Sequence, residues 1–282
     1  MDEKSDVLRV VVSVVVYDTQ SEELHRWARS LFDAALVCGE AVSAEMSFHI
    51  LLLNNGGRDL SAFYESCLEA SRHIGLNCRV ELVEGHGNVG YGAAQNIGIE
   101  ASQGRYQVMM NPDVVLERDA LLSAIEFMEG RDDVVAVSPA CVGGDGLKRY
   151  LCKRYPSVLD LALRGFAPAV VRGLFSHRLN SYEMSDLDQE HVEVGVPIVS
   201  GCCLFCRRSA LDEVGGFDPR YFLYFEDFDL SLRLLTRGKL AYVPSVKIEH
   251  SGGNAAGKGV RHIAMFTRSA VRFFNTYGWK WF

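Results

Sequence analysis

Val10-Val11-Val12-Ser13-Val14-Val15-Val16 is β-branched at every position except Ser13 and shows no polar alternation. Such a run suits a central parallel strand covered on both faces, because a half-exposed strand would alternate apolar and polar residues. It ends at Tyr17-Asp18-Thr19, where Thr19 or Ser21 can cap a helical stretch from Glu22 to Leu36. The alternation continues. Phe48 to Leu53 reads as a buried strand that stops at the turn Asn54-Asn55-Gly56-Gly57, Leu60 to Ile74 as a helix, and Cys78 to Val83 as a strand. Ala93 to Ala101 then reads as helix and Tyr106 to Met110 as strand. Strands alternating with helices imply right-handed βαβ crossovers and an α/β fold, with a mostly parallel, Rossmann-like central sheet flanked by helices. Ligands of such sheets bind beyond the carboxyl ends of the strands, where Asp18, Asn54, Asn88 and Asn111-Pro112-Asp113 fall.

The 282 residues allow one large α/β domain or two smaller ones, and 48% hydrophobic content supports a sizeable core. A formal net charge of −7 weighs against a nucleic-acid partner. Met1 to Asp6 is charged and mixed in sign, and the apolar run from Val10 to Val16 is too short for a signal peptide or membrane span. Eight cysteines lack a regular framework, so a reducing cytoplasm is expected. Cys203 and Cys206 form a C-x-x-C, but Ser200 to Cys206 reads as a buried strand and no second pair follows at zinc-ribbon spacing.

Gly85-His86-Gly87-Asn88-Val89-Gly90 matches the dinucleotide fingerprint G-x-G-x-x-G, yet it follows the third strand and not the first. A nicotinamide- or flavin-dependent oxidoreductase is therefore a competing reading. Asn111-Pro112-Asp113 places a carboxylate on a rigid turn at an apolar strand end, where it can reach a hard divalent cation or simply make an Asx-Pro turn. Lys148 to Arg178 is basic and apolar by turns, which fits a solvated helical surface or a flap facing an anionic lipid or phosphate. Ser185 to Glu193 reads as an acidic loop, followed by a strand near Val194 to Cys206 and a short helix from Ser209. The turn Gly215-Gly216-Phe217-Asp218-Pro219 leads into Tyr221-Phe222-Leu223-Tyr224-Phe225-Glu226-Asp227-Phe228-Asp229. Leu230, Leu234 and Leu235 predict a helix from about Glu226, with the three acids in its first turn. They either serve the helix dipole or, set among aromatics, include a general base of raised pKa. Two strands separated by Pro244 follow, Lys239 to Val243 and Val246 to His250; His250 precedes the flexible exit Ser251-Gly252-Gly253. The tail from Arg261 to Phe282 is basic and aromatic, and either lies on an anionic bilayer or packs as a terminal helix.

Taken together, Asn88-Val89-Gly90-Tyr91-Gly92-Ala93-Ala94-Gln95-Asn96-Ile97-Gly98, Asn111-Pro112-Asp113, and the block from Ser200-Gly201-Cys202 through Gly215-Gly216-Phe217-Asp218 to Glu226-Asp227-Phe228-Asp229-Leu230 resemble glycosyltransferase family 2. These are inverting enzymes of GT-A fold, and the similarity is greatest to bacterial rhamnosyltransferases of cell-surface polysaccharide assembly. The resemblance implies a GT-A domain over residues 1–250, with a nucleotide-sugar half to about residue 140, an acceptor and catalytic half from 141, and a separate segment over 251–282. It implies that Tyr17 and Asp18 line the nucleotide base and that Asn54 replaces an acid accepting from the base. Asn88, Gly90, Asn96, Asn111 and Gly201 belong to the implied substrate-binding motifs. Asp113 and His250 would hold Mg²⁺ or Mn²⁺, with Asn111 in place of the first acid of D-x-D. Asp227 is the implied base, with Glu226 orienting the acceptor and Asp229 supporting the helix start. The implied substrates are a nucleotide sugar, dTDP-L-rhamnose foremost, with another UDP- or dTDP-sugar as the alternative. The acceptor is a saccharide or lipid-linked glycan such as lipopolysaccharide, met in the cytoplasm or peripherally at the inner membrane. A nucleotide-binding scaffold without turnover is the remaining alternative.

Overall fold

Valine-rich β1 (Leu8–Val16) lies between two parallel neighbours in a ten-stranded sheet. The computed structural model describes residues 7–42, 45–250 and 259–282. The loop after His250 therefore lies outside the described residues. From β1 the chain runs through α1 (Ser21–Ala41), β2 (Met46–Asn54), α2 (Ser61–His73), β3 (Asn77–Val83), α3 (Tyr91–Glu100) and β4 (Tyr106–Met110). Strands β1 to β4 are parallel in the order β3-β2-β1-β4, so the chain reverses its direction of travel across the sheet between β1 and β4. That switch point opens a crevice at the strand ends.

Beyond β4 come β5 (Val114–Leu116), α4 (Ala120–Glu129), β6 (Val134–Val142), β7 (Lys148–Arg149), β8 (Cys152–Lys153), α5 (Val158–Phe166), α6 (Ala169–Leu174) and α7 (Ser176–Tyr182). The remainder is β9 (Glu193–Val194), β10 (Ile198–Val199), β11 (Cys203–Arg207), α8 (Arg208–Val214), α9 (Glu226–Leu234), β12 (Lys239–His250) and α10 (Val260–Tyr277). The sheet continues as β4-β11-β6-β12-β5, with β11 antiparallel to both its neighbours and β12 parallel to β6. Strands β8 and β10 form a separate antiparallel pair.

Both faces of the sheet are covered, as the valine run requires. Val10, Val12, Val14 and Val16 pack with α1, α2 and α4, whereas Val11 and Val15 pack with α3 residue Ala94. On that second face α8 and α9 bury Leu211, Leu230 and Leu234 against Met109, Leu204 and Leu240. Cys203 and Cys206 belong to opposite faces. An odd separation on a strand turns two side chains apart, so the C-x-x-C cannot close on one metal.

Three local expectations change. Helix α1 is capped by Gln20, whose N–H donates to Glu23 (3.3 Å), and not by Thr19 or Ser21. The strand expected over Val194 to Cys206 is broken into β9, β10 and β11, because Ser200-Gly201-Cys202 forms a turn that serves α9. The two strands around Pro244 are one strand, β12, whose register on β6 shifts between Val243 and Lys247. A bulge there accommodates a residue that has no N–H for the ladder.

The tail packs as a terminal helix. Phe273 and Phe274 of α10 are buried against Phe225, Phe228 and Tyr155, and Tyr277 donates to Asp229 Oδ1 (2.7 Å). The carbonyls of Lys280 and Trp281 accept from Val158 and Leu159, two of the otherwise orphaned donors at the start of α5. Among the described residues, no helix is long and apolar enough to cross a membrane.

Candidate active site

Helix α9 starts where the sequence places it, and its approach is unusual. Tyr224 and Phe225 both have left-handed backbones, with φ of 68° and 65°. Each costs a non-glycine residue roughly 1–3 kcal/mol, a strain the surrounding packing must offset. The ring cluster around Phe273 does so by clamping Phe225. Two left-handed residues in succession turn the chain sharply and set Glu226 and Asp227 side by side at the wall of a cleft of about 940 Å³.

The two acids differ in their partners. Asp227 is half-buried; its Oδ2 accepts from Gly201 N–H (3.0 Å) and its Oδ1 from Phe228 N–H (3.0 Å). Glu226 is buried, and its Oε2 has no hydrogen-bond partner. Burial raises both carboxyls above their ordinary range, with the neighbouring Asp227 charge adding to the rise at Glu226. Two N–H donors favour an anion at Asp227 and none is seen at Glu226 Oε2. The proton shared by such a pair therefore rests on Glu226, and Asp227 is the ionised member. Adjacent acids driven apart in this way can divide base and donor roles between them.

Gly201 is a positioning residue. Its N–H holds Asp227, and its carbonyl accepts from Tyr91 O–H (2.5 Å). A Cβ on Gly201 would stand 3.2 Å from that of Asp227, so a side chain there would press on the acid. Behind Tyr91 runs a buried polar chain that the sequence pattern did not single out. Gln95 Nε2 donates to Tyr91 (3.2 Å), Ser13 Oγ to Gln95 Oε1 (2.6 Å), and Gln107 Nε2 to Ser13 Oγ (2.9 Å). Ser13, the one polar break in the valine run, was the available signal.

The neighbouring Cys202 carbonyl accepts from Asn111 N–H (2.7 Å), so the turn that orients Asp227 also holds Asn111-Pro112-Asp113. From there Asp113 Oδ1 reaches His250 Nε2 at 3.2 Å, joining residues 137 apart in the chain. One carboxylate and one imidazole fit a Mg²⁺ or Mn²⁺ ion whose other positions are filled by phosphate oxygens and water. Among the described residues, no group of three or more His, Cys, Asp or Glu side chains gathers as a metal cage.

The remaining expected residues divide. Tyr17 and Asp18 stand exposed at the β1 end, with Asp18 paired to Arg58 (2.7 Å). Asn54 is buried and engaged in its own loop: Nδ2 donates to Arg58 carbonyl (2.6 Å) and Oδ1 accepts from Gly57 N–H (3.1 Å). Its neighbour Asn55 instead holds the glycine loop, bonding Asn88 Oδ1 (3.2 Å) and Val89 N–H (3.1 Å). Gly90 lies against the Phe222 carbonyl, which a Cβ would meet at 2.2 Å, so the third glycine of G-x-G-x-x-G serves packing on the acidic loop. Both ends of the Asn96 amide pair with the Phe217 backbone, at 2.8 Å each.

The switch-point crevice, where sheets of this kind bind ligands, is joined by one turn to the acid pair. The family model for glycosyl transferase family 2 matches residues 12–215, and the chain belongs to that family. Its curated relatives include N-acetylglucosaminyl-diphospho-decaprenol L-rhamnosyltransferase of Mycobacterium tuberculosis (strain ATCC 25618 / H37Rv), 28% identical over 284 residues. That alignment covers 95% of this chain and 84% of the relative. Rhamnosyltransferase WbbL of Escherichia coli (strain K12) is 27% identical over 175 residues, covering 58% of this chain and 61% of the relative. Among solved structures, the mannosyltransferase PcManGT from Pyrobaculum calidifontis, in complex with GDP-Man and Mn²⁺, aligns with TM-score 0.58 at 16% identity. The alignment covers 94% of this chain and 65% of that one. GalNAc-T7 with UDP, GalNAc and Mn²⁺ aligns with TM-score 0.57 at 14% identity, covering 86% of this chain and 43% of that one. The chain thus spans under half of GalNAc-T7. These likenesses establish the GT-A fold, and the protein is a glycosyltransferase.

Proposed function

We propose that the protein is an inverting hexosyltransferase moving L-rhamnose from dTDP-L-rhamnose onto a saccharide of a cell-surface glycan. The observation that carries the mechanism is the Gly201–Cys202 turn, which binds Asp227 on one side and the Asp113 turn on the other. The donor lies with its base at the ends of β1 and β2 and its diphosphate toward Asp113 and His250. Asp113 and His250 would hold a divalent ion there, which would supply positive charge to the departing diphosphate. Asp227 Oδ takes the proton of the acceptor hydroxyl as its oxygen bonds to the anomeric carbon. The bond from that carbon to the diphosphate breaks on the opposite face, so configuration inverts. Glu226, carrying its proton, donates a hydrogen bond to the acceptor. Rhamnose is supported by the names of the two curated relatives, and a UDP-sugar is the alternative donor.

The acceptor is met at the cytoplasmic face of the membrane. Helix α6 buries none of its residues, and Val170 and Leu174 are 79% and 80% exposed beside Arg172, an arrangement suited to an anionic lipid surface. Thermal shift with dTDP and UDP, with and without Mg²⁺ or Mn²⁺ and with NAD as control, tests the donor assignment. Metal-dependent stabilisation by dTDP above UDP is expected by mass action. A response to NAD alone would sink the reading.

A further inference from the structure

Lys153 of β8 takes no part in the steps above, yet it is 8% exposed in the wall of the cleft that holds Asp227. Its Nζ donates to the Tyr150 carbonyl (2.6 Å), while Glu183 stands 3.8 Å away, beyond hydrogen-bond reach. Arg164 of α5 holds that same Glu183 at 3.0 Å. Lys153 and Arg164 therefore face two carboxylates, Glu183 and the ionised Asp227, and the four charges balance. With Glu183 taken by Arg164, the anion left to offset Lys153 is Asp227. A buried ammonium is costly unless an anion answers it, and so is a carboxylate drawn out of water.

The backbone fixes the two groups relative to each other. Strand β8 pairs with β10, with Lys153 opposite Ile198 and Cys152 opposite Val199, and the Leu151 carbonyl accepts from Ser200 N–H (2.8 Å). Strand β10 is tied in turn to α9: Val199 N–H donates to Ser231 Oγ (3.1 Å), and Ser231 Oγ to the Asp227 carbonyl (2.7 Å). Gly201 N–H, two residues beyond β10, holds Asp227 Oδ2. Lys153 gives its hydrogen bond to Tyr150, so its attraction for Asp227 acts through space. A charge placed in this way favours the anion without occupying the lone pair that an acceptor proton enters; a direct ion pair would block that oxygen.

The other ionisable groups around the pair are neutral or engaged. Burial pushes the Cys152 and Cys202 thiols up to about 11 and about 12, and raises the Tyr91 and Tyr182 hydroxyls above their ordinary range. Glu226 carries the shared proton, Asp229 is held by Arg233 (2.7 Å), and Asp113 faces His250. Arg149 pairs with Asp145 (2.8 Å), and Lys148 is exposed to solvent. Burial, with the Arg164 charge adding to it, draws Lys153 down to about 8, so the ammonium is present at neutral pH. We propose that Lys153 is the counter-charge of Asp227, a positioning residue that keeps this carboxylate an anion in the cleft wall and leaves its oxygens open to the acceptor hydroxyl. The inference rests on the transferase reading, in which Asp227 is the base, and adds the residue that prepares it.

Carboxyl ¹³C NMR of aspartate-labelled protein, with the Asp227 signal assigned by its loss in Asp227→Asn, titrates the acid without donor, metal or turnover. Lys153→Met is expected to raise the Asp227 pKa by about one unit. An Asp227 that titrates as in wild type would overturn the proposal. Lysine-labelled protein gives the reciprocal reading, because a coupling between two sites acts equally on both. The isosteric Asp227→Asn is expected to lower the Lys153 pKa by the same amount, with the Lys153 signal assigned by its loss in Lys153→Arg. An unmoved Lys153 would overturn the proposal even where Lys153→Met fails to fold. The acidic limb of kcat in Lys153→Met should move to higher pH together with the Asp227 signal. A limb that stays in place while the signal moves would remove Lys153 from the preparation of the base and overturn the proposal too. Because the titrations need no turnover, reciprocal shifts in a protein that transfers no sugar would uphold the Lys153–Asp227 coupling and fail the transferase reading.

Discussion

Glu226 and Asp227 are neighbours in the chain, yet N–H groups of Gly201 and Phe228 hold both oxygens of Asp227 while Glu226 Oε2 has no partner. Replacing Asp227 with Asn removes the base, and transfer is expected to fall about 10²–10⁴-fold while nucleotide-induced thermal shift persists. Glu226 makes a separate prediction. Its folded pKa is raised to about 8 by burial, so its contribution to stability is full below the unfolded value, near 4.3, and is lost as pH rises towards 8. Glu226→Gln is isosteric and never ionises. The variant's melting temperature relative to wild type should therefore climb between about pH 4.5 and 8, and a constant difference would refute the assignment. Tyr91→Phe tests the buried chain behind Gly201. Losing the hydroxyl that anchors the Gly201 carbonyl loosens that residue and weakens its N–H bond to the Asp227 anion, which raises the acid's pKa. The acidic limb of kcat should move to higher pH, an effect that simple loss of folded protein cannot produce.

At the scale of elements, α10 is the brace for the start of α9. Phe273 is fully buried, with ring centroids 5.3 Å from Phe225 and 6.0 Å from Phe228. Phe273→Ala should cost about 3–5 kcal/mol by chemical denaturation, the usual range for a buried aromatic. It should also lower turnover at temperatures where the protein remains folded, since Tyr224 and Phe225 lose the packing that offsets their strained backbones. Wild-type turnover in a folded Phe273→Ala protein would show that α9 holds its own approach. The same packing explains why the tail is not merely a surface segment. Its last residues also receive the N–H groups at the start of α5.

Across the whole molecule, the Asp113–His250 pair joins the residue just before β5 to the end of β12, and these strands meet at one edge of the sheet. Asp113→Asn should abolish the metal dependence of nucleotide-induced stabilisation, leaving any metal-free component in place. A metal effect that survives would move the ion elsewhere. The order of motifs along the chain does not follow their order in space: β4 and β11 are adjacent strands although β5 to β10 intervene, and this adjacency brings Asn111 onto Cys202.

The α/β class, the parallel start of the sheet and the helix at Glu226 were legible in the sequence. Each rests on local pattern, where strand and helix periods are written directly into neighbouring residues. Tertiary structure decided which loop each polar member of a motif holds. Asn54 and Asn96 have the polarity of binding residues, but their amides are engaged by Gly57 and Phe217. Their partners depend on chain crossings that no local period encodes. The division between Glu226 and Asp227 is of the same kind, because it follows from Gly201 lying 26 residues upstream and folding onto one carboxylate but not the other.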